Sequence, residues 1–177
     1  FVSYATATVA VVVNLETNSA SGGDAAGDVL FEIENVTGTA LNDSLIGNGS
    51  DNFLWGEVGN DTLDGAAGND DLRGGAGDDT ILAGLGDDLM FGGAGNDTVT
   101  YAASAVGVTV TLTTAVGSGG LAQGDALLEI ETVIGSAVND TLTGDSQSNT
   151  LFGGTGDDTL SGAAGFDTLY GLSLIHI

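Results

Sequence analysis

The chain has 177 residues, 31 of them Gly, with no Pro and no Cys, and a formal charge of −24 that leaves Arg73 as its single Lys or Arg. That charge excludes nucleic acid and anionic membrane surfaces as partners, because both need a basic face; the absence of Cys excludes disulfides and thiolate metal sites. What the charge invites is cations, and the 42% of hydrophobic residues, spaced at fixed phase, do not have the composition of a disordered acidic tail.

In chain order the sequence divides into two copies of one unit. Residues 4–43 align without gaps on residues 101–140, an offset of 97. Phe1, Val2 and Ser3 then fall on Thr98, Val99 and Thr100, so residues 1–3 read as the end of a preceding repeat unit and the chain as a piece of a longer array. Residues 4–42 and 101–139 are connectors. Their segments 9–15 and 106–112 are rich in β-branched residues and predict strands, and second strands are expected over 29–36 and 126–133, with Gly-rich turns between. No segment combines helical periodicity with caps, and no apolar run approaches the length of a membrane span. The fold class is therefore all-β, with no membrane insertion expected.

Each connector leads into a run of nine-residue repeats, residues 43–100 and 140–171. In the first run Asp43, Asn52, Asp61, Asp70, Asp79, Asp88 and Asp97 recur at one position. Two places later stand Leu45, Leu54, Leu63, Leu72, Ile81, Met90 and Val99. The second run carries Asp140, Asn149, Asp158 and Asp167 with Leu142, Leu151, Leu160 and Leu169. The ending 172–177, LSLIHI, breaks the pattern and resembles translated adapter read-through, with a native capping strand as the alternative; no function is assigned to it.

The spacing has a physical reading. Three residues make a minimal strand with the apolar residue turned inward, and six Gly-rich residues reverse the chain, glycine serving where φ is positive or backbones crowd. Two nonapeptides complete a coil of 18 residues, so positions 18 apart stack. One edge then carries Asp43, Asp61, Asp79 and Asp97, and the other Asn52, Asp70 and Asp88. The outward residues Ser44, Thr62, Thr80 and Thr98 fit an exposed strand by β-propensity alone. Trp55, beside inward Leu54, should face outward.

These residues resemble the calcium-binding nonapeptide of RTX (repeats-in-toxin) exoproteins, GGxGxDxUx with U large and apolar. Residues 74–81 (GGAGDDTI), 92–99 (GGAGNDTV) and 153–160 (GGTGDDTL) match it in full. The resemblance implies a right-handed parallel β-roll, with several Ca²⁺ ions held by Asp61, Asp79, Asp97, Asp70, Asp88, Asp43, Asp140, Asp158 and Asp167. Turn glycines Gly74, Gly77, Gly92, Gly95, Gly153 and Gly156 complete the motif. Asn52 and Asn149 depart from it and put full occupancy of their positions in doubt, and Asp78 and Asp87, which precede the ligand position, read as charge that either supports the ligands from behind or is simply solvated. It further implies a secreted bacterial exoprotein passed through type I secretion machinery, with a surface adhesin as the first context and a secreted protease or lipase with its catalytic domain elsewhere as the second.

Electrostatics supports the ion on its own terms. Two carboxylates about 5 Å apart repel by roughly 3 kcal/mol at an effective dielectric near 20, and the stack repeats this at every coil. Ca²⁺ accepts a flexible set of oxygen ligands, whereas Mg²⁺ demands strict octahedral geometry and Zn²⁺ favours His or Cys. With no HExxH, no Ser/His/Asp set and one His, His176, in the odd tail, no catalytic activity is expected.

Overall fold

The computed structural model describes residues 1–82 and 84–172. Its strands form two walls of a flattened parallel β-roll. The first wall holds, in hydrogen-bonded order, Val2–Ser3, Asn35–Thr37, Phe53–Val58, Asp71–Ala76, Leu89–Ala94, Ala126–Leu128, Val116–Ser118, Thr109–Thr111, Thr141–Thr143 and Thr159–Ser161. The second runs Thr168–Leu172, Thr150–Thr155, Thr132–Ile134, Thr98–Thr100, Thr80–Leu82, Thr62–Ala66, Ser44–Asn48, Val12–Asn14 and Ser19–Ser21. Among the described residues there is no α-helix, only three short 3-10 turns, and so none long and apolar enough to cross a membrane.

The register is the one that the repeat dictates. Leu54 pairs with Leu72 and Leu72 with Met90 in one wall, while Leu45 pairs with Leu63, Leu63 with Ile81 and Ile81 with Val99 in the other, every step being 18 residues. These side chains fill the space between the walls at 0% exposure. Burying each stabilises the fold by about 1.5–3 kcal/mol, so the core is a file of single residues rather than a globular centre. Ser44, Thr62, Thr80 and Thr98 stack in one outward file, and Trp55 faces outward at 37% exposure. Gly77 shows why the turn position must lack a side chain: its φ is 132°, and a Cβ there would collide with the Gly59 carbonyl of the coil below.

Both walls continue through 101–139. Thr109–Thr111 and Val116–Ser118 form an antiparallel hairpin inserted into the first wall. Ala126–Leu128 then pairs in parallel with Leu89, Met90 and Phe91, and Thr132–Ile134 pairs with Thr98, Val99 and Thr100 on the opposite wall. The single strand expected over 126–133 is thus two strands on different walls. Glu129, at φ 55°, makes the corner between them. Residues 29–36 bend the same way at Glu32, φ 54°; only Asn35–Thr37 is a strand there, Val29 making an isolated bridge to Ser19. The expected strands at 9–15 and 106–112 shorten to Val12–Asn14 and Thr109–Thr111.

The 97-residue shift also exchanges the walls. Val12–Asn14 lies in the second wall and its equivalent Thr109–Thr111 in the first, because a unit crosses between walls an odd number of times. Most of the non-repeat ending, residues 173–177, lies outside the described residues.

Candidate functional site

The repeated Asp lies where a turn meets the start of a strand, and the roll brings these residues together along its two edges. Each carboxylate is used in two halves. Its Oδ1 accepts the backbone N–H of the repeat Asp or Asn one coil earlier. Asp61 accepts from Asp43 at 2.7 Å, Asp79 from Asp61 at 2.7 Å and Asp97 from Asp79 at 2.9 Å. On the other edge Asp70 accepts from Asn52 at 2.7 Å and Asp88 from Asp70 at 2.8 Å. In the second block Asp158 accepts from Asp140 at 3.0 Å and Asp167 from Asn149 at 2.9 Å.

The second oxygen has no such use. Oδ2 of Asp61, Asp70, Asp79, Asp88, Asp97 and Asp158 is buried without a hydrogen-bond partner. An unsatisfied buried carboxylate oxygen is costly and calls for a cation or a proton. Burial accordingly pushes the Asp70 and Asp79 carboxyls up to about 7 and those of Asp61 and Asp88 up to about 6, from an ordinary 3.8. The accepted N–H pulls the other way, and neighbouring carboxylates add to the rise. Asp97 is also raised, again mainly by burial.

A glycine faces the free oxygen of Asp61, Asp79, Asp97 and Asp158. Five residues before the Asp stands a glycine, and a Cβ on it would overlap the Oδ2: Gly56 against Asp61, Gly74 against Asp79 and Gly153 against Asp158. The carbonyl oxygen of the glycine one coil later closes the same space, Gly74 O and Gly92 O each 2.7 Å from where the Cβ of Gly56 and Gly74 would stand. The donors meeting there are a carboxylate and peptide oxygens, the hard ligand set of Ca²⁺. Among the described residues no three acidic or His side chains converge on one point, so backbone oxygens must provide part of any coordination shell. Gly77, Gly95 and Gly156, at φ 132°, 151° and 134°, let successive turns stack closely.

Asp43 and Asp140 are built differently. Asp43 Oδ2 accepts the Thr39 N–H, and its Oδ1 accepts the Val11 N–H at 2.7 Å and the Thr39 hydroxyl at 3.1 Å. Asp140 repeats this with Ser136 N–H, Val108 N–H and the Ser136 hydroxyl at 2.6, 2.7 and 2.8 Å. Their leading turns thus supply side-chain and backbone donors. Asn52 and Asn149 turn Oδ1 to the corresponding glycine and accept the Asn48 and Asp145 N–H groups. Asp167 keeps Oδ2 beside Gly162.

Two carboxylates escape sequence reasoning, and a third finds a defined partner. The third, Asp78, for which the sequence leaves open a supporting or a solvated role, accepts the Asn96 N–H at 2.9 Å within a further file of side chains that links the residues just before the Asp positions. Asp125 and Glu131, outside any nonapeptide, end the two carboxylate files by accepting the N–H groups of Asp88 at 3.1 Å and Asp97 at 2.9 Å. The only signal for them was an acidic residue before each connector strand, a pattern common to many sequences.

A comparison with curated proteins gives no match. The family of the RTX calcium-binding nonapeptide repeat (4 copies) matches residues 37–72, 64–99 and 132–171. These are the coils that carry the free carboxylate oxygens, and together they span more than half of the chain. On both grounds the chain belongs to the RTX calcium-binding nonapeptide repeat family and is a calcium-binding β-roll module.

Proposed function

We propose that this module is a non-catalytic scaffold whose folding depends on calcium, working as a repeat region of a secreted, adhesin-type bacterial exoprotein exported through a type I channel. The buried, partnerless Oδ2 oxygens along both edges carry this reading. Asp61, Asp79, Asp97, Asp70, Asp88 and Asp158 offer the free oxygens, with the Gly74 and Gly92 carbonyls of the adjoining coils as co-ligands beside Asp61 and Asp79. Asp167 and the Oδ1 atoms of Asn52 and Asn149 border weaker positions. Asp43 and Asp140, whose oxygens are already taken by N–H and O–H donors, begin the files of their own edge rather than hold an ion alone.

The chemistry links folding to compartment. Where calcium is scarce the stacked carboxylates repel and oppose the roll; where it is plentiful, binding to the folded state alone stabilises it by mass action. A chain that stays open inside the cell and closes outside suits export through a narrow channel. Circular dichroism with calcium titration and chelator tests this. Calcium should induce a β spectrum that chelator abolishes, and a β spectrum unchanged by chelator at neutral pH would sink the proposal.

A further inference from the structure

We infer that the connector completes a calcium site of its own at the seam where 101–139 meets the first nonapeptide block, formed by Asp97 Oδ2, the main-chain carbonyl of Glu129 and the Glu131 carboxylate. This rests on the reading of the Asp files as calcium sites and extends it to a segment outside the nonapeptide motif. The argument is a substitution visible within one molecule. One coil earlier, the oxygen set consists of Asp79 Oδ2, the Gly92 carbonyl, and the Asp97 carboxylate that accepts the Asp79 N–H. At the seam, each member has a replacement.

Asp97 Oδ2 takes the place of Asp79 Oδ2; Asp97 is 0% exposed and this oxygen has no partner. The Glu129 carbonyl takes the place of the Gly92 carbonyl. A Cβ built on Gly92 would run into Glu129 O and lie 2.6 Å from Asp97 Oδ2, as one built on Gly74 meets Gly92 O and Asp79 Oδ2. Glu131 takes the place of Asp97: its Oε2 accepts the Asp97 N–H at 2.9 Å, and the next residue's N–H, from Thr132, reaches Asp97 O at 2.9 Å, just as Thr98 N–H reaches Asp79 O at 2.8 Å. Glu129 holds its carbonyl there from a left-handed conformation, φ 55°, which a residue with a side chain adopts only at some cost.

At the opposite edge of the seam the connector's carboxylate is spent on protein hydrogen bonds, while Asp88 Oδ2 stays without a partner. Asp125 accepts the Asp88 N–H on Oδ1, but its Oδ2 is taken by the Tyr101 hydroxyl at 2.9 Å.

The test is calcium stoichiometry of the full chain by isothermal titration with calcium alone, for the wild type, Glu131→Gln and Glu34→Gln. The amide of Glu131→Gln keeps an acceptor for the Asp97 N–H but loses the charge. The variant should still fold in calcium yet bind one ion fewer, or bind that ion at least tenfold more weakly. Glu34→Gln, the equivalent residue of the other connector with no Asp N–H bound to its carboxylate, should match the wild type. Unchanged stoichiometry and affinity in Glu131→Gln would reduce Glu131 to a hydrogen-bonding cap and overturn the seam site, while a wild type that binds no calcium would overturn the file reading itself. Should Glu131→Gln fail to fold, crystals of the wild type grown with calcium decide: a calcium peak bounded by Asp97, Glu129 and Glu131 supports the site, and peaks beside Asp61 and Asp79 with none there overturn it.

Discussion

Segments 4–42 and 101–139 share one sequence pattern but meet different neighbours. Both make a hairpin, and both tie a Tyr hydroxyl to an Asp 24 residues on, Tyr4 to Asp28 and Tyr101 to Asp125, each at 2.9 Å. The difference lies in what stands before them in this sequence: the nonapeptide block 43–100 precedes 101–139, and residues 1–3 alone precede 4–42. In 101–139 the strand Ala126–Leu128 lies against Leu89, Met90 and Phe91, and Asp125 is 1% exposed with the Asp88 N–H bound to it. In 4–42 the equivalent residues Val29 and Phe31 are 65% and 72% exposed, and Asp28 is exposed as well. The connector's internal fold is therefore its own, whereas its acidic ends become part of a carboxylate file only when a nonapeptide coil stacks on them.

The largest effect that should sharpen this contrast is that of acid. The carboxyls pushed upward lie between Asp61 and Glu131, with Asp125 raised to about 7 by burial. A folded-state value raised above the unfolded 3.8 means that the fold holds more protons than the open chain. Its stability without calcium is then fullest below about pH 4 and is lost as pH rises through 6 to 7. In chelator, lowering the pH from 8 to 4 should produce β structure by circular dichroism, and hydrogen exchange should show protection across 61–131 ahead of 4–42. Protection that appears first in 4–42 would break the comparison.

A smaller effect separates the two apolar faces. Leu127→Ala removes a buried side chain under the stacked coil and should cost about 2–5 kcal/mol, measured by urea unfolding at fixed calcium. Val29→Thr, on the open face of the other connector, should stay within about 0.5 kcal/mol. Comparable losses would mean that Val29 is covered in solution.

The smallest effect concerns the paired tyrosines. Burial pushes the Tyr4 hydroxyl up to about 12, and burial together with the Asp125 charge pushes that of Tyr101 higher still. Tyr101→Phe takes away a buried bond to a charged partner and should cost about 1.5–3 kcal/mol. Tyr4→Phe loses the same bond at an exposed carboxylate, where solvent screens it, and should cost under about 1 kcal/mol. Equal costs in the same urea assay would show that the Asp28 end is buried after all.

The sequence by itself determined whatever follows from local period. A nine-residue phase places Leu63, Leu72, Ile81, Met90 and Val99 inward, a glycine five places before each of Asp61, Asp79 and Asp97, and every second Asp on one edge. Only the tertiary structure decided what depends on pairing across long stretches of chain. Asp125 and Glu131 join the files from 37 and 34 residues away because the connector folds back onto the block. The corner at Glu129 splits one apparent strand, and the odd number of wall crossings sends equivalent hairpins to opposite faces. Backbone periodicity is written residue by residue, but which carboxylate meets which coil is settled by the stacking of whole turns.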